Sequence, residues 1–191
     1  MGGNAGTAFV VIDLQNEIVD GEERAYRRDE LLETVAGLLA DARQANVPVI
    51  FVQHNAPKYE PLTPGNPGWQ IHPAVAPLPG ERIVQKLAAD SFAGTPLRSE
   101  LDALGITNVV LAGMQTEVCI DTTARRAISL GYDVTLIADG HSTYDNEFLT
   151  AEQIIAHHNA VLANLPHPQN DIVVKTAADV RFGAAVEAAA S

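Results

Sequence analysis

The chain has 191 residues, 47% of them hydrophobic and only 19% charged, a balance that fits one globular domain over 1–191 with a sizeable core. A formal net charge of -12, with 12 Lys and Arg dispersed apart from the pairs Arg27-Arg28 and Arg125-Arg126, would repel a phosphate backbone and argues against nucleic acid as a partner. No apolar stretch approaches a membrane span, residues 1–6 lack the charged and apolar regions of a signal peptide, and one cysteine leaves no room for a disulfide framework or a Cys-rich metal cluster; a cytoplasmic protein without membrane partners is expected.

Apolar β-rich runs alternate with helical patterns along the chain, the signature of a parallel α/β sheet, and no internal repeat is present. A first strand is predicted over 8–12, ending at Asp13, and Leu31, Leu32, Val35, Leu38, Leu39 and Ala42 follow as one helical stripe. A second strand is predicted over 47–52. Residues 55–80 carry most of the prolines and several glycines, which reads as a long ordered loop anchored by Trp69, and loops of that length are usually functional. A short third strand over 82–85 ends at Lys86. Thr95-Pro96 then opens a helix as cap and first residue, with Leu97, Leu101 and Leu104 directed inward. The β-branched run at 106–112 predicts a fourth strand buried on both faces, and Ile120, Ala124, Ala127 and Ile128 mark one face of the helix after it. A fifth strand over 132–138, a capping box of Thr150 with Gln153 opening a helix with Ile154, Ile155, Val161 and Leu162, and a sixth strand over 171–174 complete the pattern. The Ala-rich tail at 184–191 is expected to fray.

Cys119 stands between the fourth strand and its helix, in Gly113-Met114-Gln115-Thr116-Glu117-Val118-Cys119-Ile120. A thiol in the first helical turn sits at the positive end of the macrodipole beside unpaired N–H groups, which favours thiolate over thiol and supplies donors for an oxyanion. A lone cysteine is also commonly just a small buried hydrophobe. Asp13, Lys86 and Cys119 each terminate or follow a strand, and the carboxyl ends of strands are where open parallel sheets bind ligands. There Lys86 would stabilise the thiolate and Asp13 would shuttle the proton, although an Asp capping a turn and a solvated Lys are ordinary alternatives.

Three blocks now resemble a known family. Val11-Ile12-Asp13-Leu14-Gln15-Asn16, Lys86 followed by Ser91-Phe92-Ala93-Gly94-Thr95, and Gly113 to Cys119 with Thr122-Thr123-Ala124-Arg125 are similar to the signature blocks of the isochorismatase-like cysteine hydrolases, in the right order from about residue 8 to about residue 165. The resemblance implies a three-layer α/β/α fold around a six-stranded parallel, Rossmann-like sheet in the order 3-2-1-4-5-6. It implies Asp13, Lys86 and Cys119 as a catalytic triad, a cis peptide between Met114 and Gln115, and an oxyanion hole built from the Gln115 and Cys119 N–H groups. Homo-oligomers are common among such relatives, so an assembly of identical chains is expected. Lys86 is the awkward member, because its strand lies at the sheet edge and its side chain must reach inward.

Nicotinamidases of this superfamily hold a metal with an Asp-x-His pair and a further His just after the second strand. The corresponding segment here, Gln53-His54-Asn55-Ala56-Pro57-Lys58-Tyr59, lacks that pattern, and His54 alone cannot supply the three protein ligands of a catalytic zinc. The expectation is a site with no metal and no cofactor, with His72 in the loop and His157-His158 on a solvated helix face. Gln15, His54, Trp69, Phe92, Gln115 and Tyr144 are the side chains expected around the thiol, forming an aromatic-walled pocket for a small neutral or weakly polar molecule. Loop packing for Trp69 and Phe92, and turn chemistry for Tyr144 with Asp139-Gly140-His141-Ser142, are the bland alternatives. Arg24, Arg27 or Arg28 could approach the site from the loop after the first strand. The leading functional expectation is hydrolysis of a small-molecule amide, carbamoyl or lactam C–N bond through a thioester on Cys119. The vinyl-ether hydrolysis that names the superfamily would use Asp13 without the thiol, and a redox-sensing thiol protein is the non-enzymatic alternative.

Overall fold

Six strands, β1 (Thr7–Ile12), β2 (Val49–His54), β3 (Arg82–Lys86), β4 (Asn108–Met114), β5 (Asp133–Ser142) and β6 (Ile172–Lys175), pair in parallel in the order β3-β2-β1-β4-β5-β6. This is the order that the sequence blocks imply. The computed structural model describes residues 6–182, so the Ala-rich tail at 184–191 and residues 1–5 lie outside the described residues. Among the described residues, five α-helices accompany the strands: α1 (Asn16–Asp20), α2 (Arg28–Gln44), α3 (Leu97–Ala103), α4 (Asp121–Ser129) and α5 (Ala151–Ala163).

Because a strand sends alternate side chains to opposite faces, a central strand needs apolar residues at every position, and β1 is buried from Ala8 to Ile12. Val10 and Ile12 join Val52, Leu111 and Leu136 against Leu97 and Leu101 of α3, Ala124, Ala127 and Ile128 of α4, and Leu162 of α5. Phe9 and Val11 join Phe51 and Val110 against Leu31, Leu32, Val35, Leu38 and Leu39 of α2, on the other face. These two cores make the helical layers on either side of the sheet. Each fully buried Leu or Phe contributes about 1.5–3 kcal/mol, which holds the strand ends in fixed positions.

Several boundaries differ from the sequence reading for identifiable reasons. The second strand starts at Val49 rather than at residue 47: Pro48 has no N–H, and it enters the ladder only as an acceptor, from the Phe9 N–H at 2.9 Å. The fifth strand continues to Ser142, because its register with β4 shifts from Leu111↔Leu136 to Gly113↔His141 across a bulge. Leu104, expected inward, is 39% exposed; α3 ends at Ala103 and Leu104 serves as its C-cap. The capping box is present as expected, with Thr150 and Gln153 each bonding the other's backbone N–H. The long loop carries 3₁₀ turns at Glu60–Leu62 and Pro73–Val75, and Trp69 pins it, its indole N–H donating to Asn55 Oδ1 at 2.6 Å. Among the described residues no helix is long and apolar enough to cross a membrane.

Candidate active site

The central strands β1 and β4 pack closely at their carboxyl ends. Ile12 lies in register with Gly113, and a Cβ on Gly113 would stand 1.9 Å from the Ile12 carbonyl oxygen; with φ at +134° as well, only glycine fits. On one side of this contact Asp13 leaves the strand in the left-handed region, at φ 53°. On the other, the Met114–Gln115 peptide is cis, and the chain enters a π-helical turn, Thr116–Ile120, closed by the Ile120 N–H on the Gln115 carbonyl at 3.0 Å. Cys119 sits in that turn, which runs directly into α4.

Lys86 reaches this point from the sheet edge. It closes β3 opposite His54, and its side chain runs inward past the end of β2 with no exposed surface. Its ammonium lies 2.7 Å from Asp13 Oδ2, 3.0 Å from Cys119 Sγ and 3.0 Å from the Ala88 carbonyl oxygen, so three donors meet three acceptors. The Asp13 side chain is 1% exposed. The structure thus brings Asp13, Lys86 and Cys119 together.

Burial decides their electrostatics. It lifts the Asp13 carboxyl above the ordinary range, with Lys86 opposing it in part. It also pushes the Cys119 thiol up to about 12, Asp13 adding to that effect and Lys86 resisting it. For Lys86, burial works against the ammonium, but Asp13 and Cys119 outweigh it and its affinity for the proton rises. The expected standing thiolate is therefore corrected: desolvation exceeds what Lys86 and the helical turn supply, and the resting sulfur keeps its proton. A thiol that holds its proton needs a base in reach, and a carboxylate with raised affinity is a stronger one.

Behind the turn, the Thr116 hydroxyl lies 2.8 Å from His141 Nδ1, and His141 Nε2 lies 2.9 Å from Asn159 Oδ1. The Asn159 amide nitrogen donates to the Ala138 carbonyl, so its oxygen is the acceptor; His141 then carries its proton on Nε2 and accepts from Thr116. Burial lowers His141 to about 4, which keeps it neutral. Turn chemistry is the bland alternative that the sequence offers for 139–142; His141 instead lies on the bulged extension of β5, which the apolar pattern does not reveal.

A cavity of about 660 Å³ opens above the thiol, with Asp13, Cys119, Met114 and Gln115 at its floor and His54, Ile18, Leu62 and Tyr144 around it. His54 is held neutral by its burial and by Lys86, whose ammonium is 3.5 Å from its Nδ1. Tyr144 donates its hydroxyl hydrogen to the Ile18 carbonyl oxygen. Gln15, Trp69 and Phe92 do not line this space. The Gln15 amide is spent on backbone, donating to the carbonyls of His54 at 2.9 Å and Trp69 at 2.8 Å and accepting from the His54 N–H at 2.7 Å. It fixes the end of β2 against the long loop. Phe92 stacks on Tyr132 in the core, ring centroids 6.0 Å apart. Arg24, Arg27 and Arg28 pair with acidic neighbours outside the cavity. The polar side chains that sequence reasoning missed are Glu17 on the short helix α1 and Glu22, Glu23 and Tyr59 on loops, and they give the wall an acidic character where a neutral one was expected. Among the described residues no three His, Cys, Asp or Glu side chains gather to hold a metal ion.

A family signature described as Isochorismatase domain matches residues 7–165, which span the sheet from β1 to β5 and the strand-end trio. The chain belongs to the isochorismatase family. It is similar to a streptothricin hydrolase of Streptomyces noursei, 39% identical over 138 residues that cover 72% of this chain and 50% of that protein. It thus spans about half the length of that relative. It is also similar to the ureidoacrylate amidohydrolase of Methylobacterium radiotolerans, 27% identical over 197 residues, with 84% and 73% of the two chains covered. Among solved structures, an isochorismatase family protein matches with a TM-score of 0.81 at 34% identity, over 89% of this chain and 98% of that one. In this isochorismatase-family sheet the site lies where the strand order reverses, between β1 and β4, the crevice in which open α/β sheets bind ligands.

Proposed function

We propose that the chain is a hydrolase of small-molecule amide, carbamoyl or lactam C–N bonds, with Cys119 as nucleophile and Asp13 as proton shuttle. The observation that carries this reading is the Lys86 ammonium lying within 3.0 Å of both a buried carboxylate and the only sulfhydryl of the chain, at the floor of an open cavity. The names of two relatives, a streptothricin hydrolase and a ureidoacrylate amidohydrolase, agree with such a class.

The chemistry runs in two halves. Asp13 takes the thiol proton as Sγ attacks the carbonyl carbon, and the Lys86 ammonium at 3.0 Å stabilises the sulfur's developing charge. The oxygen, now negative, is received by the N–H groups of Gln115 and Cys119. The tetrahedral adduct collapses, the C–N bond breaks, and Asp13 returns its proton to the departing amine or ammonia. Water then gives a proton to Asp13 and its oxygen to the thioester carbon, and the thiolate leaves and is reprotonated. Vinyl-ether hydrolysis would leave Cys119 idle, and the contact of Sγ with Lys86 favours the amide reading.

An ammonia- and amine-release screen over small amides, carbamoyl compounds and lactams tests this, with Cys119→Ser and Asp13→Asn as controls. Turnover by the wild type that vanishes in both variants is the expected result. Turnover that survives Cys119→Ser would overturn the assignment of the nucleophile.

A further inference from the structure

We infer that Thr116, His141 and Asn159 form a positioning chain for the oxyanion hole, holding from behind the turn whose Gln115 and Cys119 N–H groups receive the substrate oxygen. This rests on the hydrolase reading above and adds to it the residues that aim its donors. None of the three lines the cavity above the thiol, so they act only through the turn.

Thr116 opens the π-helical turn, directly after Gln115 and in the same turn as Cys119. The Gln115 side chain supplies no cap there. Two consecutive side chains instead tie the turn to the extension of β5. The Thr116 hydroxyl donates to His141 Nδ1 at 2.8 Å, and Glu117 Oε1 accepts from the Thr143 hydroxyl at 2.8 Å. The bulge that carries β5 past its apolar run is what brings His141 beneath the turn. Asn159 of α5 secures that bulge, its oxygen accepting from His141 Nε2 at 2.9 Å and its amide donating to the Ala138 carbonyl at 3.1 Å.

Packing alone does not ask for this chemistry. Thr116 is 0% exposed and His141 3%, and a buried hydroxyl or imidazole costs free energy unless it is paired, whereas Val and Leu would fill similar space at no such cost. The pairing is also directional: Asn159 keeps the imidazole proton on Nε2, which leaves Nδ1 as the acceptor for Thr116. A β-branched side chain has few χ1 wells, and the bond to His141 selects one, which ties the backbone of the turn to the imidazole. Oxyanion donors act only when aimed in advance, and a misplacement of about 1 Å costs about 10²-fold.

Two reactions at Cys119 separate aiming from folding. Hexanal adds to the thiol: the S–C bond forms, the carbonyl π pair moves onto oxygen, and the thiol proton reaches that oxygen through Asp13, giving a thiohemiacetal whose oxygen lies in the hole. Iodoacetamide also forms an S–C bond, but iodide leaves with the C–I pair, the proton goes to Asp13, and no oxyanion develops. The alkylation rate therefore reports the thiol, and its slowing by hexanal, beyond that by 1-hexanol, reports the hole.

Thr116→Val is expected to weaken hexanal binding at least about tenfold while alkylation without hexanal stays within about twofold of wild type. Thr116→Ser keeps the hydroxyl and should restore the binding. Asn159→Ala lets the imidazole proton move to Nδ1, and should weaken hexanal about threefold, less than Thr116→Val, because water from a second cavity that Asn159 and His141 line replaces part of the lost acceptor. Should Thr116→Val fail to fold, Asn159→Ala carries the same comparison. Hexanal affinity unmoved in both variants, a parallel fall of affinity and alkylation, or no advantage of hexanal over 1-hexanol in the wild type would each overturn the proposal. On the amides found by the release screen, Thr116→Val should lower kcat with KM unchanged. Selective loss of hexanal binding without hydrolysis of any amide would keep the positioning chain and sink the hydrolase. Cys119-dependent hydrolysis with hexanal affinity and kcat unmoved would do the reverse.

Discussion

At the floor of the cavity Asp13 and Lys86 are 1% and 0% exposed and answer each other's charge at 2.7 Å, whereas on the wall Glu22 and Glu23 are exposed and nothing among the described residues answers theirs. The floor is made by strand ends of the central sheet, where close approach of β1 and β4 fixes each atom. The wall is made by the short helix α1, turns and a long loop, clamped at a few points such as Gln15 and Trp69. Dry, rigid positions suit bond making, because every charge there acts at low dielectric and costs no rearrangement when the reaction begins. Wet, projecting positions suit recognition, because each can change without disturbing the sheet.

Substitutions should therefore act differently in the two regions. Cys119→Ser is expected to lower amide hydrolysis by at least about 10³-fold with little change in Tm, measured by amine release and thermal unfolding. Lys86→Met should cost about 3–5 kcal/mol of stability in chemical denaturation, because it leaves a buried carboxylate without its cation. A loss below about 1 kcal/mol would mean that the floor is wetter than described.

The His141 support should show itself through pH. Its pKa is about 4 in the folded chain against an ordinary 6.5, so between these values the unfolded chain takes a proton that the native one refuses. The stability present above pH 6.5 should fall as pH drops through that window, by about 3 kcal/mol in all, and level off below pH 4. Subtracting the same curve for His141→Asn isolates this contribution from the other titrating groups. The smallest effect belongs to the wall: Tyr144→Phe removes a single hydrogen bond to the Ile18 carbonyl and should cost about 1 kcal/mol.

The same division explains what the sequence reveals. Strands announce themselves because two-sided burial forces apolar runs, as at Ala8 to Ile12, and Thr150 with Gln153 announces a helix start because two orphan N–H groups need those side chains. The Gly113 to Cys119 block is legible because close strand contact admits only glycine at its head. The protonation of the thiol is not legible, since it depends on how far solvent is excluded, and burial outweighs Lys86 there. His141 is hidden because a bulge carries β5 beyond its apolar run. Trp69 pins the long loop, as its place in a Pro- and Gly-rich segment leads one to expect, but Phe92, equally close to a strand end, stacks in the core, a destination that local pattern does not give. The acidic wall escapes for a related reason: charged residues in turns are ordinary surface until the fold curls them over a cavity.

The account turns on a covalent bond at Cys119. Rapid quench of wild-type enzyme with a hydrolysable amide, followed by intact-mass and peptide analysis, should show the acyl group of that amide added to the peptide containing Cys119. Hydroxylamine in the reaction should divert the same acyl group to a hydroxamate, as a thioester requires. Continued hydrolysis with no acylated Cys119 and no hydroxamate would contradict it.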